Sequence, residues 1–196
     1  MRRAVLERET LETRIRISLA LDGGGNFEVA TGIPFFDHML AQLARHGGMD
    51  LEVVATGDLD VDLHHLVEDT GILLGEAFAE ALGNKAGIER FSSVDLVLDE
   101  ALVKVTLDLS GRAYLFYDVR FENPLPLGAP GMDPQLAEEF FRAFVNAARC
   151  TLHIESVRGK NTHHLLEATF KGFARALKVA LRVTGDATVP STKGLL

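Results

Sequence analysis

The chain has a single cysteine, Cys150, and this scarcity restricts its chemistry. One thiol cannot form a disulfide within the chain, and it excludes a zinc site built from several cysteines. Cys150 lies in an apolar segment between a predicted helix and a predicted strand, so we expect it in the core. A reducing, cytoplasmic environment is the expected location.

Long apolar runs and clustered basic residues are also missing. No stretch approaches about eighteen uninterrupted apolar residues, and MRRAVLERET leads into no apolar signal core, so we expect neither a membrane span nor an export signal. The net charge of −8 and the scattered basic residues argue against a nucleic-acid partner. The 47 % apolar and 24 % charged residues are typical of a globular protein.

Histidine, in contrast, is concentrated in two copies of one motif. The pattern His-His-x-x-Glu occupies residues 64–68 and again 163–167. On a helix, the first histidine and the glutamate share a face and can bind one ion, while the second histidine points about 100° away, toward another ion. A lone copy fits a capping or packed histidine equally well, but two copies favour two metal ions shared between the motifs.

The remaining pattern predicts an α+β protein. Alternation and turn residues predict strands at 3–9 and 12–21, and 26–31 as a returning strand that closes a hairpin with 12–21. A helix from Pro34 to Gly47, a strand at 51–55 and a helix from the first motif to about 82 follow. The second half predicts strands at 94–98, 102–109, 112–121 and 151–157, a loop at 123–134, and helices at 134–149 and from the second motif to about 183.

The two halves match each other. Setting His38 on Glu139 brings Met49 onto Cys150, and shortening the following loop by two residues superposes the histidine pairs. This indicates an internal duplication, with halves at 1–90 and 91–196 in one compact unit. Each half is expected to be a sheet with two helices on one face, and Gly71 and Gly75 predict a close approach by a neighbouring element.

Several segments resemble one enzyme family, the imidazoleglycerol-phosphate dehydratases of histidine biosynthesis. They are ETRIRISLALDGGG, FFDHMLAQLARHG, DLHHLVEDTGILLGEAF, GIERF, GRAYLFYD, FFRAF, GKNTHHLLEATFKGFARAL and VPSTKGLL. These segments are distributed between residues 12 and 196, so the resemblance extends over nearly the whole chain. The resemblance implies duplicated ferredoxin-like half-domains with mixed sheets and helices on one side, as in ribosomal protein S5 domain 2, and trimers that assemble into a 24-mer.

The resemblance also implies two Mn²⁺ ions per active site, held between subunits. The first would be bound by His38, His65, His163 and Glu167. The second would be bound by His64, Glu68, His164 and Glu139. Glu139 is a departure from the family pattern, because several family members carry histidine there. A carboxylate favours a harder ion such as Mn²⁺, and Glu138 or a water is the alternative ligand.

The resemblance further implies a phosphorylated imidazole substrate. Its contacts would be Glu12, His38, His46, Arg90, Arg112, Lys171, Ser191, Thr192 and Lys193, with Arg90, Arg112 and Lys193 on the phosphate. Without the resemblance, each arginine would be interpreted as a solvated surface charge.

The implied reaction is loss of water from imidazole glycerol phosphate to give imidazole acetol phosphate. The proton removed lies on a carbon without an adjacent carbonyl, so the imidazole ring must accept the electrons, and metal ions at its nitrogens favour this. We expect Glu12 as the main proton-transfer residue, with Glu167 and His46 as further candidates. Two rivals remain from the residues alone: a dinuclear-metal phosphohydrolase, and a non-catalytic protein assembled by structural metals.

Overall fold

The computed structural model describes residues 2–196 as an α+β fold of two four-stranded sheets and four helices. The first-half elements are β1 (Arg3–Glu9), β2 (Thr13–Ala20), β3 (Phe27–Ala30), α1 (Pro34–Gly47), β4 (Asp50–Gly57) and α2 (His64–Leu82). The second-half elements are β5 (Phe91–Leu98), β6 (Ala101–Asp108), β7 (Tyr114–Asp118), α3 (Leu136–Ala148), β8 (Thr151–Arg158) and α4 (Thr162–Ala180).

The two sheets have the same topology. Their strand orders are β1-β2-β4-β3 and β5-β6-β8-β7, and in each sheet only the last pair is parallel. The predicted α+β class and the duplication of half-domains are therefore confirmed. Because the histidine pair opens α2 in one half and follows Thr162 at the start of α4 in the other, the duplication brings the two motifs to equivalent helix ends.

The predicted hairpin between 12–21 and 26–31 is wrong. β3 pairs with β4 in parallel, from Phe27 opposite Leu51 to Ala30 opposite Val54, and β4 occupies the edge of β2 instead. Asp50 fixes this arrangement, because its Oδ1 accepts hydrogen bonds from the backbone N–H groups of Gly24 and Asn26 at 2.9 Å each. The glycine-rich segment is therefore hydrogen-bonded to the start of β4 and does not form a hairpin turn between β2 and β3.

Several element ends also differ from the sequence predictions. The strand expected from residue 94 begins at Phe91, and the strand expected at 51–55 is the longer β4. The strand expected at 112–121 is limited to 114–118, and the helix expected from 134 begins at Leu136. The last helix was expected to reach about 183 but ends at Ala180, because Val183 pairs with Ile88 in an isolated β-bridge. In the part of the chain from Arg2 to Leu196, no helix is both long and apolar enough to cross a bilayer.

The helices pack on each other across the two halves, α2 against α3 and α1 against α4. At Gly71 an added Cβ would lie 2.7 Å from the Phe140 carbonyl oxygen, and at Gly75 it would lie 2.6 Å from that of Phe144. The predicted close approach at these glycines is therefore made by α3. Cys150 is buried, as expected.

Candidate active site

The first candidate metal group joins α1 to the start of α4. It consists of His38, His163 and Glu167, which offer ligand atoms that all lie within 4.8 Å of one another. The Glu167 Oε2 atom is 3.3 Å from His38 Nε2 and 2.9 Å from His163 Nε2. His163 and Glu167 meet because they are four apart on one helix, and α1 supplies His38 because it packs beside α4.

Glu167 is held as an anion. Burial by itself raises the pKa of its carboxyl, but hydrogen bonds from Lys171, His163 and His38 outweigh that effect and lower the pKa to about 2. Lys171 forms an ion pair with Glu167 one helical turn along the same face. A carboxylate that stays ionised is an effective ligand for a hard cation, but it is a weak base near neutral pH.

A polar row on α1 continues from His38 toward His46. Gln42 links them, with Nε2 3.5 Å from His38 Nδ1 and Oε1 3.0 Å from His46 Nε2. Burial lowers the pKa of His46, and the charges of Lys171 and Arg175 lower it further. A neutral imidazole therefore faces the same cationic side chain that pairs with Glu167.

The second candidate metal group surrounds the start of α2. His64 Nε2 lies 3.4 Å from Glu68 Oε2, again at a spacing of four residues. Glu139 on α3 lines a cavity of about 550 Å³ together with His64, and its nearest ionic contact is Arg142, 3.9 Å away. The duplication predicted equivalent helix positions for His38 and Glu139, and each lies near one histidine motif.

The second histidine of each motif, His65 or His164, contacts carboxylates outside these two groups, and we call these two residues the outlying histidines. His65 Nδ1 is 2.9 Å from Asp58 Oδ2 and 3.8 Å from Glu12 Oε2, while His164 Nδ1 is 2.7 Å from Glu100 Oε2. Among residues 2–196, the ligand cluster at Glu167 contains His38 and His163 but not His65. His164 likewise contacts Glu100 rather than the second group that was predicted for it. One chain thus brings together three of the four ligands predicted for the first ion. For the second ion it pairs His64 with Glu68 and places Glu139 at the same cavity as His64.

The carboxylates that contact these two histidines affect their charge. The hydrogen bond that His65 donates to Asp58 raises the pKa of His65, and the charge of Glu12 adds to that effect. For Glu100, the backbone N–H of Asn161 is the largest influence, followed by His164 and the N–H of Lys160, and together they lower its pKa to about 2.

The residues predicted to bind phosphate line one cavity of about 830 Å³. They are Arg90, Arg112 and Lys193, and the predicted substrate contacts Ser191 and Thr192 line the same cavity. Arg90 donates to Asp108 Oδ1 and to the Pro190 carbonyl oxygen, both at 2.7 Å, which ties the C-terminal segment to the sheet. Arg112 is 71 % exposed and lies 4.0 Å from Asp108 Oδ2, so its guanidinium is free to bind an anion.

Sequence reasoning missed Asp58 and Glu100, which hold the two outlying histidines. A signal for Glu100 was present, because it directly precedes β6 as Glu12 directly precedes β2. No comparable signal marked Asp58, since it lies in a loop whose length differs between the halves.

Known proteins resemble this chain along its whole length. The model of the family described as imidazoleglycerol-phosphate dehydratase matches residues 31–177. The dehydratase of that name from Desulfitobacterium hafniense strain Y51 is 56 % identical, covering 100 % of this chain and 99 % of the relative. That from Acidithiobacillus ferrooxidans is 51 % identical, covering 100 % and 98 %.

Solved structures agree with these relatives. The crystal structure of imidazoleglycerol-phosphate dehydratase from Staphylococcus aureus superposes with a TM-score of 0.82 at 37 % identity, covering 92 % of this chain and 100 % of that one. The Pyrococcus furiosus enzyme, crystallised in complex with (S)-C348, gives a TM-score of 0.79 at 36 % identity, covering 97 % and 100 %.

Proposed function

The chain belongs to the imidazoleglycerol-phosphate dehydratase family, and from this premise we propose how its own residues carry out the dehydration. It is a carbon–oxygen lyase of histidine biosynthesis that removes water from imidazole glycerol phosphate to give imidazole acetol phosphate. The rival hypotheses, a dinuclear-metal phosphohydrolase and a non-catalytic protein assembled by metals, are not supported.

The donor set fits two Mn²⁺ ions per active site. Each predicted site offers imidazole nitrogens and one or two carboxylate oxygens, and the three clustered donors at Glu167 are close enough to share one ion. His38, His163, Glu167 and a His65 would hold the first ion, and His64, Glu68, Glu139 and a His164 would hold the second. When bound, the ions would supply the positive charge that stabilises electrons displaced into the imidazole ring.

We propose that a neighbouring copy supplies the fourth ligand of each site. The observation in favour is the separation within one chain: His65 lies with Asp58 and Glu12, away from the cluster at Glu167, and His164 lies with Glu100. A homo-oligomer in which copies exchange these histidines completes both sites. Trimers that build a 24-mer are the assembly that we propose.

The cavity lined by Arg90, Arg112 and Lys193 is proposed to hold the substrate phosphate. Arginine presents a planar donor pair that matches phosphate oxygens, and the hydroxyl groups of Ser191 and Thr192 lie in the same cavity. Asp108 holds Arg90 rigidly, whereas Arg112 is exposed and available to close on the ligand. Phosphate binding at one fixed point would orient the imidazole and the hydroxyl that leaves.

Glu12 is the proposed proton-transfer residue. Its side chain is 55 % exposed and makes only a 3.8 Å contact with His65, so its carboxylate remains available to a substrate. Glu167 is less suited to that role, because a carboxyl with a pKa of about 2 holds a proton poorly near neutral pH. The lowered pKa of His46 leaves a neutral imidazole that can accept a proton as a secondary group.

We also propose a cytoplasmic location, because a chain with one buried cysteine gains nothing from an oxidising compartment. The net charge of −8 argues against nucleic acids and anionic membranes as partners.

The deciding experiment combines metal counting with product formation. Purified protein saturated with Mn²⁺ should show two sites per chain in anomalous-scattering maps and should convert imidazole glycerol phosphate to the ketone. Chelation should abolish both signals, and Mn²⁺ should restore them. Release of inorganic phosphate in place of the ketone, or protein that holds no divalent ion at saturation, would contradict the proposal.

A further inference from the structure

The two halves contain structurally equivalent positions around the outlying histidines. An added Cβ at Gly57 would lie 3.2 Å from Leu66 and 3.3 Å from Thr13, while at Gly159 it would lie 2.5 Å from Leu165 and 3.2 Å from Ala101. Gly57 and Gly159, which lie at the ends of β4 and β8, therefore occupy equivalent positions in the two halves.

The same alignment pairs the groups around the two histidines. Because Glu12 precedes Thr13 and Glu100 precedes Ala101, the two glutamates are equivalent, as are His65 and His164.

The equivalent glutamates nevertheless make different contacts. Glu100 Oε2 accepts from His164 Nδ1 at 2.7 Å, and its Oε1 accepts from the backbone N–H groups of Lys160 at 3.1 Å and Asn161 at 2.8 Å. Glu12 makes no such bond to His65, because Asp58 accepts from His65 Nδ1 at 2.9 Å. The second half therefore uses its glutamate where the first half uses an aspartate.

The lengths of the loops before the histidine pairs explain why an aspartate contacts the imidazole in one half and a glutamate does so in the other. Residues 58–63 connect Gly57 to the first histidine pair, but only residues 160–162 connect Gly159 to the second. The residue after the glycine is Asp58 in the longer loop and Lys160 in the shorter one. The shorter loop contains no carboxylate, so the turn residue Glu100 is the one that contacts the imidazole.

A carboxylate at Nδ1 has a defined chemical effect. An ionised carboxylate can only accept a hydrogen bond, so Nδ1 carries the proton and Nε2 keeps its lone pair for a metal. His164 Nε2 lies 3.8 Å from Asp99 Oδ2, which is too long for a hydrogen bond. Metal-binding histidines commonly need such a partner to fix the ring and the tautomer.

We propose that Glu100 and Asp58 are positioning residues, which orient His164 and His65 as metal ligands, and that Asp58 thereby leaves Glu12 free for proton transfer. The inference rests on the proposed two-metal function. It assigns different roles to two glutamates that the duplication placed at equivalent sites.

The variant Glu100→Gln isolates the effect of the carboxylate. An amide oxygen toward Lys160 and Asn161 preserves both backbone hydrogen bonds, so the amide NH₂ faces His164 and can only donate to Nδ1. Nε2 would then carry the proton. We expect Mn²⁺ affinity, measured from free Mn²⁺ by electron paramagnetic resonance, to fall about ten- to a hundredfold. The melting temperature of the metal-free protein should stay near that of the wild type.

Asp58 requires a different pair of variants. Asp58 Oδ1 is buried without a hydrogen-bond partner, so Asp58→Asn can still turn an oxygen toward His65, and it should retain most of the Mn²⁺ affinity. Asp58→Ala removes the acceptor and should lose affinity as Glu100→Gln does. Glu12→Gln is the matched control at the equivalent position, and its Mn²⁺ affinity should equal that of the wild type.

A second readout does not depend on metal. In metal-free protein labelled with ¹⁵N-histidine, the difference spectrum between the wild type and Glu100→Gln should show one histidine changing from the Nδ1–H to the Nε2–H tautomer. Unchanged Mn²⁺ affinity in Glu100→Gln, or an unchanged tautomer, would overturn the positioning role while leaving an active two-metal enzyme. Wild-type protein without bound Mn²⁺ would instead overturn the proposed function itself.

Discussion

The two halves share one scaffold but differ in what they can bind. Each has a four-stranded sheet of the same order and a histidine pair at the start of its second helix. The cavity of Arg90, Arg112 and Lys193 lies in the second half. Arg2, which precedes β1 as Arg90 precedes β5, instead donates to Asp22 and to the Leu181 carbonyl oxygen.

This difference shows which features the duplication retained and which diverged. The histidine motifs depend on spacing within a helix, so both copies keep the same local geometry. The cavity of Arg90, Arg112 and Lys193, which is the proposed anion cavity, depends on the C-terminal segment, and this segment has no counterpart at the end of the first half. Equivalent positions, such as Glu12 and Glu100, are therefore free to take different roles where the surrounding loops differ.

The largest effect is expected at Glu12. Glu12→Gln should leave Mn²⁺ content and assembly intact while lowering kcat about a hundredfold or more, because proton transfer loses its acceptor. Glu9→Gln, an exposed change three residues away, is the control and should keep normal turnover. Near-normal turnover of Glu12→Gln would remove Glu12 from the mechanism and erase the contrast with Glu100.

Helix α2 should be destabilised by an added side chain at Gly75. Gly75 on α2 is equivalent to Ala174 on α4, and a Cβ at Gly75 would lie 2.7 Å from that of Ala147. Gly75→Ala should lower the free energy of unfolding by about 1–3 kcal/mol through overpacking against α3. Gly24→Ala, where the nearest atom lies 3.4 Å from the added Cβ, should change stability little. Equal unfolding midpoints for the two variants in urea would contradict the close packing.

The anion cavity should distinguish substrate binding from metal binding. Arg112→Gln should raise KM about tenfold, because one charge-assisted hydrogen bond to phosphate is lost, with Mn²⁺ affinity unchanged. Arg120→Gln is the control, since Arg120 is exposed and pairs with Asp118 outside the cavity. If KM is the same for both variants, phosphate binds elsewhere.

The smallest effect concerns pH and the two motif glutamates. The pKa of Glu167 is lowered from 4.5 to about 2, so its contribution to stability is present above pH 4.5 and is lost as the pH falls toward 2. In metal-free protein, Glu167→Gln should weaken the pH dependence of unfolding in that window. Glu68→Gln, at the equivalent position with a more exposed side chain, is the matched control. If the free energy of unfolding depends on pH equally in both variants, the lowered pKa of Glu167 does not contribute to stability in this range.

Much of the candidate site was predictable from local spacing. The pairs His64–Glu68 and His163–Glu167 follow from helix geometry alone, and the match of Met49 to Cys150 indicated the duplication. The partner of β3 was not predictable in this way. A hairpin and a parallel pair use the same alternating residues, and the choice was made by Asp50, which binds the backbone of the preceding loop.

The sequence alone determined the element types and the repeat of the two halves, and its histidine motifs predicted two metal ions, because these depend on periodicity and side-chain chemistry. The phosphate-binding residues were predicted only through the family resemblance. Only the tertiary structure decided that His38 meets Glu167, that β4 separates β2 from β3, and that Asp58 and Glu100 hold the outlying histidines. Those contacts join residues far apart in the chain, and loop length and helix packing, which no local pattern encodes, bring them together.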